Sequence, residues 1–350
     1  MVIVSNSCRE SICIESDTII VKFDSSEICR YPRMPGRVVY HIDIEILSNK
    51  ILTIESDIAT NGQKLTIPAS SNILNLTNTT DLTIINYCII TEPYQDFPYS
   101  NNLQSLTLIN NSIQQSPLII KVNSHVTIKD SFNQLCRSII LPTDLRSLTA
   151  DNTYSEDDFL KYLGELRHVK LIHMDIGNFS FVNNPMLNTI EINDCYIRHI
   201  YSSTVSNLPY LETILISNNR MLETIANNAF SSLPSIKKIS IINNSNLESL
   251  EIFGCMDSSQ LTELELIDNA SVDKIESSTF SLLTELKVLK LRGSNIRRLH
   301  GDMFDNCTKL ERLDLSDNLI EIIDKPLFNR LVSLQCINLS GNIVNSIEYF

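Results

Sequence analysis

LERLDLSDNLIEIIDKPLFNRLVS, residues 310–333, decides the fold. Its apolar residues are Leu310, Leu313, Leu315, Ile320, Ile323, Phe328 and Leu331. The same offsets return in LKVLKLRGSNIRRLHGDMFDNCTK, which starts at Leu286, and in LQCINLSGNIVNSIEYF, which starts at Leu334. The three units start 24 residues apart, and a fixed period of this length marks a solenoid. Leu313 and Leu315 lie two apart, on one face of a short strand. Asn318 follows where the strand bends away, and its amide can bond backbone groups of a neighbouring coil that have no ladder partner. One coil cannot bury this set alone. Stacked coils bury it between neighbours and join their strands into one parallel sheet. Arg312, Asp314 and Ser316 alternate with the inward residues and are expected on the outer face of that sheet.

Working toward the N-terminus, units start at Leu166, Leu187, Leu211, Ile236, Leu261, Leu286, Leu310 and Leu334. An aromatic residue stands six positions before the next start at Phe230, Phe280, Phe304 and Phe328. The Asn position holds Met174, Cys195, Asn219, Asn244, Asn269, Ser294, Asn318 and Asn342. Cys195 and Ser294 can still donate there, whereas the Met174 thioether cannot. Before Leu166 the register loosens. Leu103–Leu108 and Leu82/Ile84 read as strands, and Val126/Ile128 and Leu145-x-x-Leu148 continue them. Leu65/Ile67 competes with Leu74/Leu76, and the first coil is placed at His41–Ile46. DNTYSEDDFL, residues 151–160, reads as an acidic solvated loop.

The repeat resembles the leucine-rich repeat family, L-x-x-L-x-L-x-x-N-x-L. Its 24-residue length and its Phe at the nineteenth position are similar to the "typical" subclass of animal extracellular proteins, such as Toll-like receptor and Slit ectodomains. The resemblance implies an α/β-type repeat solenoid: a horseshoe with a parallel β-sheet on its concave face and an irregular or short-helical convex side. About 13 coils are expected over residues 36–350, irregular at 55–165. The last would be cut off inside a coil at Phe350, either because the natural chain continues or because a partner covers that edge. Residues 1–35 resemble a cysteine-containing N-terminal cap, in which a hairpin around Thr18–Phe23 covers the first coil. Cys8, Cys13 and Cys29 are the disulfide candidates of such a cap, Cys29 pairing with Cys8 or Cys13; three reduced thiols in a cytosolic chain are the alternative.

Composition limits the function. The net charge of −13 and a pI near 4.9 argue against nucleic acid as the main partner, because affinity there rests on neutralising phosphates. No apolar run reaches the ~18 residues of a membrane span, and MVIVSNSC is too short in apolar residues for a signal peptide. The six histidines show no metal-ligand spacing, and His168 with His173 on one coil would make a poor metal site. No G-x-S-x-G, phosphate-cradling glycine loop or nucleophile–base pair is present, and the chain has only eight glycines. No catalytic residue, cofactor or metal is therefore expected. Cys88, Cys136, Cys195, Cys255, Cys307 and Cys336 are scattered and read as buried free thiols.

That leaves the outward residues of the strands. The position after the second strand Leu is Leu47, Ile85, Ile109, Ile172, Ile242, Ile267 and Arg292 in successive or nearby coils, interrupted by Asn193 and Ser217. Aligned exposed aliphatics make an apolar contact row. The candidate ligand-contact residues are Ile172, Leu215, Ile242, Ile267, Lys290, Arg292, Asp314 and Ser316. A basic group in the same coil (Lys287, Lys290, Arg292, Arg297, Arg298 and His300) faces acids in its neighbours, so cross-strand pairing competes with binding of an acidic partner. Asn-x-Ser/Thr occurs at Asn75, Asn78, Asn110, Asn178, Asn243 and Asn306, the glycosylation candidates, and also at Asn338 and at Asn269, where the Asn position is buried and a glycan has no room. The expected function is a protein-binding module. The resemblance makes it the ectodomain of a secreted or membrane-anchored receptor or adhesion protein, at the cell surface or outside the cell. An intracellular scaffold in the cytoplasm and a BspA-like surface protein are the alternatives.

Overall fold

In the computed structural model the chain divides into two compact units, residues 1–156 and 157–350. The structure describes isolated strand segments up to residue 97. It then describes residues 103–109, 112–114, 118–122, 124–130 and 139–152. From there it covers 159–247 apart from 178, 203, 227 and 228, and finally 260–269 and 279–348.

The first unit opens with an antiparallel hairpin, β1 (Glu10–Glu15) and β2 (Thr18–Phe23). β2 pairs in parallel with β3 (Ile51–Ser56). β4 (Asp81–Ile85), β5 (Ser105–Ile109), β6 (His125–Lys129) and β7 (Ser147–Asp151) follow in parallel. Leu82, Leu106, Val126 and Leu148 stand in register and are buried, as their spacing predicts. Other sides of these coils carry strands too. Val39–Tyr40, Lys64–Ile67, Cys88–Thr91 and Ser112–Gln114 form a second parallel sheet, and Asp96–Phe97, Leu118–Ile120 and Ile139–Ile140 a third. The strand expected at His41–Ile46 departs from the structure: Ile44–Ile46 pairs with Val2–Ile3 and Leu74–Asn75 instead, and the main sheet takes Ile51–Ser56. Leu65 and Ile67 lie in the second sheet and Leu74 beside Ile44, not in the main sheet, and Leu76 lies outside the described residues. With β-branched residues on several sides of a coil, alternation alone cannot say which side a strand occupies.

In the second unit, the described residues give the main sheet eight parallel strands, one per coil. They are β8 (His168–Ile172), β9 (Thr189–Asn193), β10 (Thr213–Ser217), β11 (Lys238–Ile242), β12 (Glu263–Ile267), β13 (Val288–Lys290), β14 (Arg312–Asp314) and β15 (Cys336–Asn338). Register is kept throughout, with Ile190, Ile214, Ile239, Leu264, Leu289, Leu313 and Ile337 side by side. Helix is nearly absent: the described residues contain two 3-10 turns, Phe159–Tyr162 and Lys325–Phe328.

Three buried columns hold this unit. The unit-start residues Leu166, Leu187, Leu211, Ile236, Leu286 and Leu310 are fully buried, and each donates its N–H to the carbonyl three residues earlier. Phe230, Phe280 and Phe304 are buried, with the Phe280 and Phe304 rings stacked at 5.8 Å. Phe181, six residues before Leu187, belongs to the same column and was legible from that spacing. The third column lies three residues before each start: Leu163, Asn184, Leu208, Leu233, Leu283, Cys307 and Leu331. Asn184 is the exception in chemistry. Its Nδ2 donates to the carbonyls of Leu160 and Leu163 at 2.9 and 2.8 Å, but its Oδ1 has no partner among the described residues. Both carbonyls also accept backbone N–H groups, from Leu163 and Leu166. Asn184→Leu removes an unpaired buried acceptor without orphaning either carbonyl, and it restores the column. It is expected to raise the melting temperature, since an unsatisfied buried polar group costs about 1–3 kcal/mol. A fall in melting temperature would show that the amide bonds outweigh the orphaned oxygen.

Candidate functional site

Each strand of the second unit is followed, one to three residues on, by a residue of left-handed conformation. His173, Asp194, Asn218, Asn243, Asp268 and Asp317 have φ between 50° and 59°, and Gly293 and Gly341 have 63° and 71°. Asn and Asp tolerate this region, and Gly is free in it. From His173 to Asp317 the turned N–H points at the next coil: His173 donates to Asn193 O, Asp194 to Ser217 O, Asn218 to Ile242 O, Asn243 to Ile267 O, Asp268 to Arg292 O, Gly293 to Ser316 O and Asp317 to Ser340 O. Gly293 and Gly341 are glycines for a second reason: a Cβ there would run into the carboxylates of Asp268 and Asp317 in the preceding coil. This rim was missed in the sequence, although Asp, Asn or Gly immediately before the buried Asn was its signal.

Behind the rim runs the expected amide ladder. Asn219, Asn244 and Asn269 are fully buried. Asn244 Oδ1 accepts from the Asn219 N–H, and Asn269 Oδ1 from the Asn244 N–H, both at 3.0 Å. Their Nδ2 groups donate to carbonyls of the preceding coil, Asn219 to Ile192, Asn244 to Ile216 and Asn269 to Ile241. Ser294 Oγ bonds Leu266 O at 3.2 Å, and Cys195 Sγ lies 3.4 Å from Leu171 O, so both stand-ins donate as expected. The ladder fixes each strand's exit angle and so the spacing of the outward rows.

Two outward rows carry the candidate residues. The middle row is Lys170, Glu191, Leu215, Ser240, Glu265, Lys290 and Asp314. The row after the second inward residue is Ile172, Asn193, Ser217, Ile242, Ile267 and Arg292, and then Ser316. Ile172, Leu215, Ile242, Ile267, Lys290 and Asp314 are half-buried and Arg292 is exposed. Ser316 is a correction: it is only 3% exposed, because its hydroxyl and N–H turn back onto Asp314 Oδ1 at 2.6 and 3.0 Å.

The charges pair mostly with one another. Glu265 receives Lys290 Nζ at 2.5 Å, Ser240 Oγ at 2.5 Å and Lys238 Nζ at 3.2 Å. Burial works against its charge, but the bonds from Lys290, Ser240 and Lys238 outweigh it and hold its pKa at about 2. Burial likewise pulls on Lys238, and Glu263 and Glu265 together raise its pKa above the usual lysine value. Lys170 pairs with Glu191 at 2.8 Å, Arg292 with Asp317 at 2.9 Å and Lys287 with Glu311 at 3.8 Å. His173 turns to Asp194 at 3.2 Å. Within the basic coil, then, Lys287, Lys290 and Arg292 pair across strands, and Arg297, Arg298 and His300 are exposed on its flank.

The remaining expectations divide. Cys195 and Cys307 are buried, and burial pushes the Cys307 thiol up to about 12, so it stays protonated and inert. Cys336 is exposed, against expectation, because it stands at an outward strand position in register with the exposed Arg312. The Cys8, Cys13 and Cys29 side chains lie outside the described residues, as do those of Asn75, Asn78, Asn110 and Asn178. Asn243 and Asn306 are exposed and Asn269 is fully buried. Among the described residues no group of three or more His, Cys, Asp or Glu could hold a metal ion. No helix among them is long and apolar enough to cross a membrane.

The sequence model of the family described as "Leucine rich repeat" matches residues 185–245, 259–320 and 284–344. No curated protein matches the sequence. Among solved structures, the chain is similar to one from the Drosophila Toll–Spatzle complex, with 16% identity and a TM-score of 0.63, over 98% of this chain and 49% of that one. It is also similar to a Listeria monocytogenes internalin, with 17% identity and a TM-score of 0.52, over 95% and 87% of the two chains. A third similarity is to the mouse RP105/MD-1 complex, with 16% identity and a TM-score of 0.52, over 84% of this chain and 55% of that one. The chain spans about half the length of the Toll-complex chain. At these identities the likeness is one of fold. With the repeat register, the amide ladder and the family match in agreement, residues 185–245 and 259–344 belong to the leucine-rich repeat family.

Proposed function

We propose that the second unit binds a protein ligand on the outward rows of its sheet, and that the chain is the non-enzymatic ligand-binding part of a secreted or membrane-anchored receptor or adhesion protein of the "typical" extracellular subclass. The family and fold are those of protein-interaction modules, and structural neighbours come from protein complexes, with Spatzle and with MD-1. One observation carries the reading. Most charges on these rows are paired with one another, while Leu215, Ile242 and Ile267 stay half open on three consecutive strands. A surface that neutralises its own charges gains little from ionic partners and offers apolar contact at its centre.

The test is a triple variant, Leu215→Asp, Ile242→Lys and Ile267→Asp, with its fold checked by circular dichroism. Partners are collected by proximity labelling of cells exposed to the wild-type protein, and the strongest is purified. Its affinity is expected to fall about 100-fold or more in the triple variant, the loss typical of a disrupted apolar hot spot. A flank variant, Arg298→Glu, is expected to bind as wild type. Equal binding by the triple variant and the wild type would remove these rows as the ligand surface.

A further inference from the structure

Eight sequons in a chain this rich in Asn, Ser and Thr carry no weight as a count, but their geometry separates them. Asn269 cannot hold a glycan in the folded protein. It is 0% exposed, its Oδ1 serves Asn244 and its Nδ2 serves Ile241 O. Asn243 is exposed but stands on the rim, its Nδ2 on Asn218 Oδ1 at 2.7 Å, beside Ile242. A glycan there would cover the apolar centre of the sheet. Asn338 lies in β15, with its Oδ1 holding both the N–H and the hydroxyl of Ser340, the sequon's own third residue.

Asn306–Cys307–Thr308 differs from all of these. It sits on the return limb between Phe304 and Leu310, not on the sheet. Cys307 is fully buried, and its backbone is fixed at both ends, its N–H to Phe304 O at 2.9 Å and its carbonyl to the Leu310 N–H at 3.0 Å. With the central residue anchored inward, Asn306 and Thr308 both turn out to solvent. Asn306 makes one described contact, Nδ2 to Ser281 O at 2.8 Å, and substituting the amide leaves it one hydrogen for that bond.

We propose that Asn306 is an acceptor for an N-linked glycan that leaves the outward sheet rows open. In the transfer, Asn306 Nδ2 loses a proton and bonds the anomeric carbon of an oligosaccharide carried on a lipid pyrophosphate. The anomeric C–O bond breaks, and the lipid pyrophosphate leaves with its electron pair. A sugar at this position hydrates a flank that carries no proposed ligand contact. It therefore adds bulk without competing for the surface around Ile242 and Ile267.

The inference rests on the ectodomain reading for its occurrence in nature, and the test separates the two. The 350-residue chain is expressed behind a heterologous leader in eukaryotic secretory cells. Peptides from secreted and retained material are mapped before and after enzymatic glycan release in heavy-oxygen water, which marks each formerly glycosylated Asn. Asn306 is expected to be marked in most molecules and Asn269 in none of the secreted ones. Asn306→Gln is expected to lower the mass by one glycan and leave ligand binding unchanged. Unmarked Asn306 in both secreted and retained chains would overturn the proposal. Marked Asn306 here, with the protein cytosolic in its own source, would remove the ectodomain reading and leave the acceptor geometry standing.

Discussion

Replacing Asn269 with leucine is expected to cause the largest loss of stability of any single substitution considered for the second unit. The side chain is fully buried, and three bonds end on it. Its Oδ1 takes the Asn244 N–H at 3.0 Å and Asn244 Nδ2 at 3.2 Å, and its Nδ2 donates to Ile241 O at 2.7 Å. Leucine keeps the volume and removes all three. The Asn244 N–H is then buried without a partner. Asn244 Nδ2 still reaches Ile216 O and Ile242 O, so its loss is partial. Each orphaned buried group costs about 1–3 kcal/mol, which places the total near 3–5 kcal/mol. For a unit of this size, that is a fall of roughly 10 °C in melting temperature. Asn243→Gly is the control, since glycine accepts the left-handed φ of 54° that alanine would strain. It removes an amide bond of similar length, to Asn218 Oδ1, in an exposed position where water replaces it, and a change of about 1 °C or less is expected. Calorimetry of both variants decides the matter. Equal, small shifts would mean that the ladder is decorative and that apolar packing alone sets the coil spacing.

How much of this was legible beforehand depends on what each residue does in the coil. The ladder, the Phe column and the strand register from Leu166 onward followed from spacing, because each coil must bury the same offsets against its neighbours. Ile242 and Ile267 were placed on the outer face by alternation alone, and they are there. Four things were not legible. The first unit's extra sheets were missed because Ile and Val alternate on more than one side of those coils, and alternation does not name the side. The rim was missed because Asp, Asn and Gly in bends read as generic turn residues, and only their φ values align Asp194, Asn218, Asn243 and Asp268 as one feature. Ser316 was placed outward by counting, but its own hydroxyl bond to Asp314 folds it under. Glu265 lay in the middle row by count and was noted only as an acid near the basic coil. Its burial needs the lysines of the strands on both sides, at Lys238 and Lys290, a relation across whole coils that no local pattern contains.

That relation yields the second large effect, and it depends on pH. Glu265 is 7% exposed and keeps its charge through Lys290, Ser240 and Lys238, which together bring its pKa from 4.5 to about 2. A carboxylate whose pKa is lower in the folded state stabilises the fold above its unfolded pKa, and that contribution fades as pH falls through the folded value. The shift corresponds to about 3 kcal/mol at neutral pH. Glu265→Gln keeps the shape and loses the charge, and it leaves Lys290 without its only described ion pair, whereas Lys238 retains Glu263 at 3.0 Å. At pH 7 the variant is expected to melt roughly 6–12 °C below the wild type. The gap should hold from pH 7 to about 5, narrow steadily below that, and nearly close by about pH 2. Glu191→Gln, which breaks the half-exposed pair with Lys170, should cost at most about 1 kcal/mol at any pH. Melting curves of the three proteins across this range discriminate sharply. If the Glu265→Gln gap were as wide at pH 3 as at pH 7, the loss would come from packing and not from charge. The paired carboxylate would then not be what keeps Lys238 and Lys290 folded down at the centre of the outward rows, and the apolar surface of Leu215, Ile242 and Ile267 would owe its openness to something else.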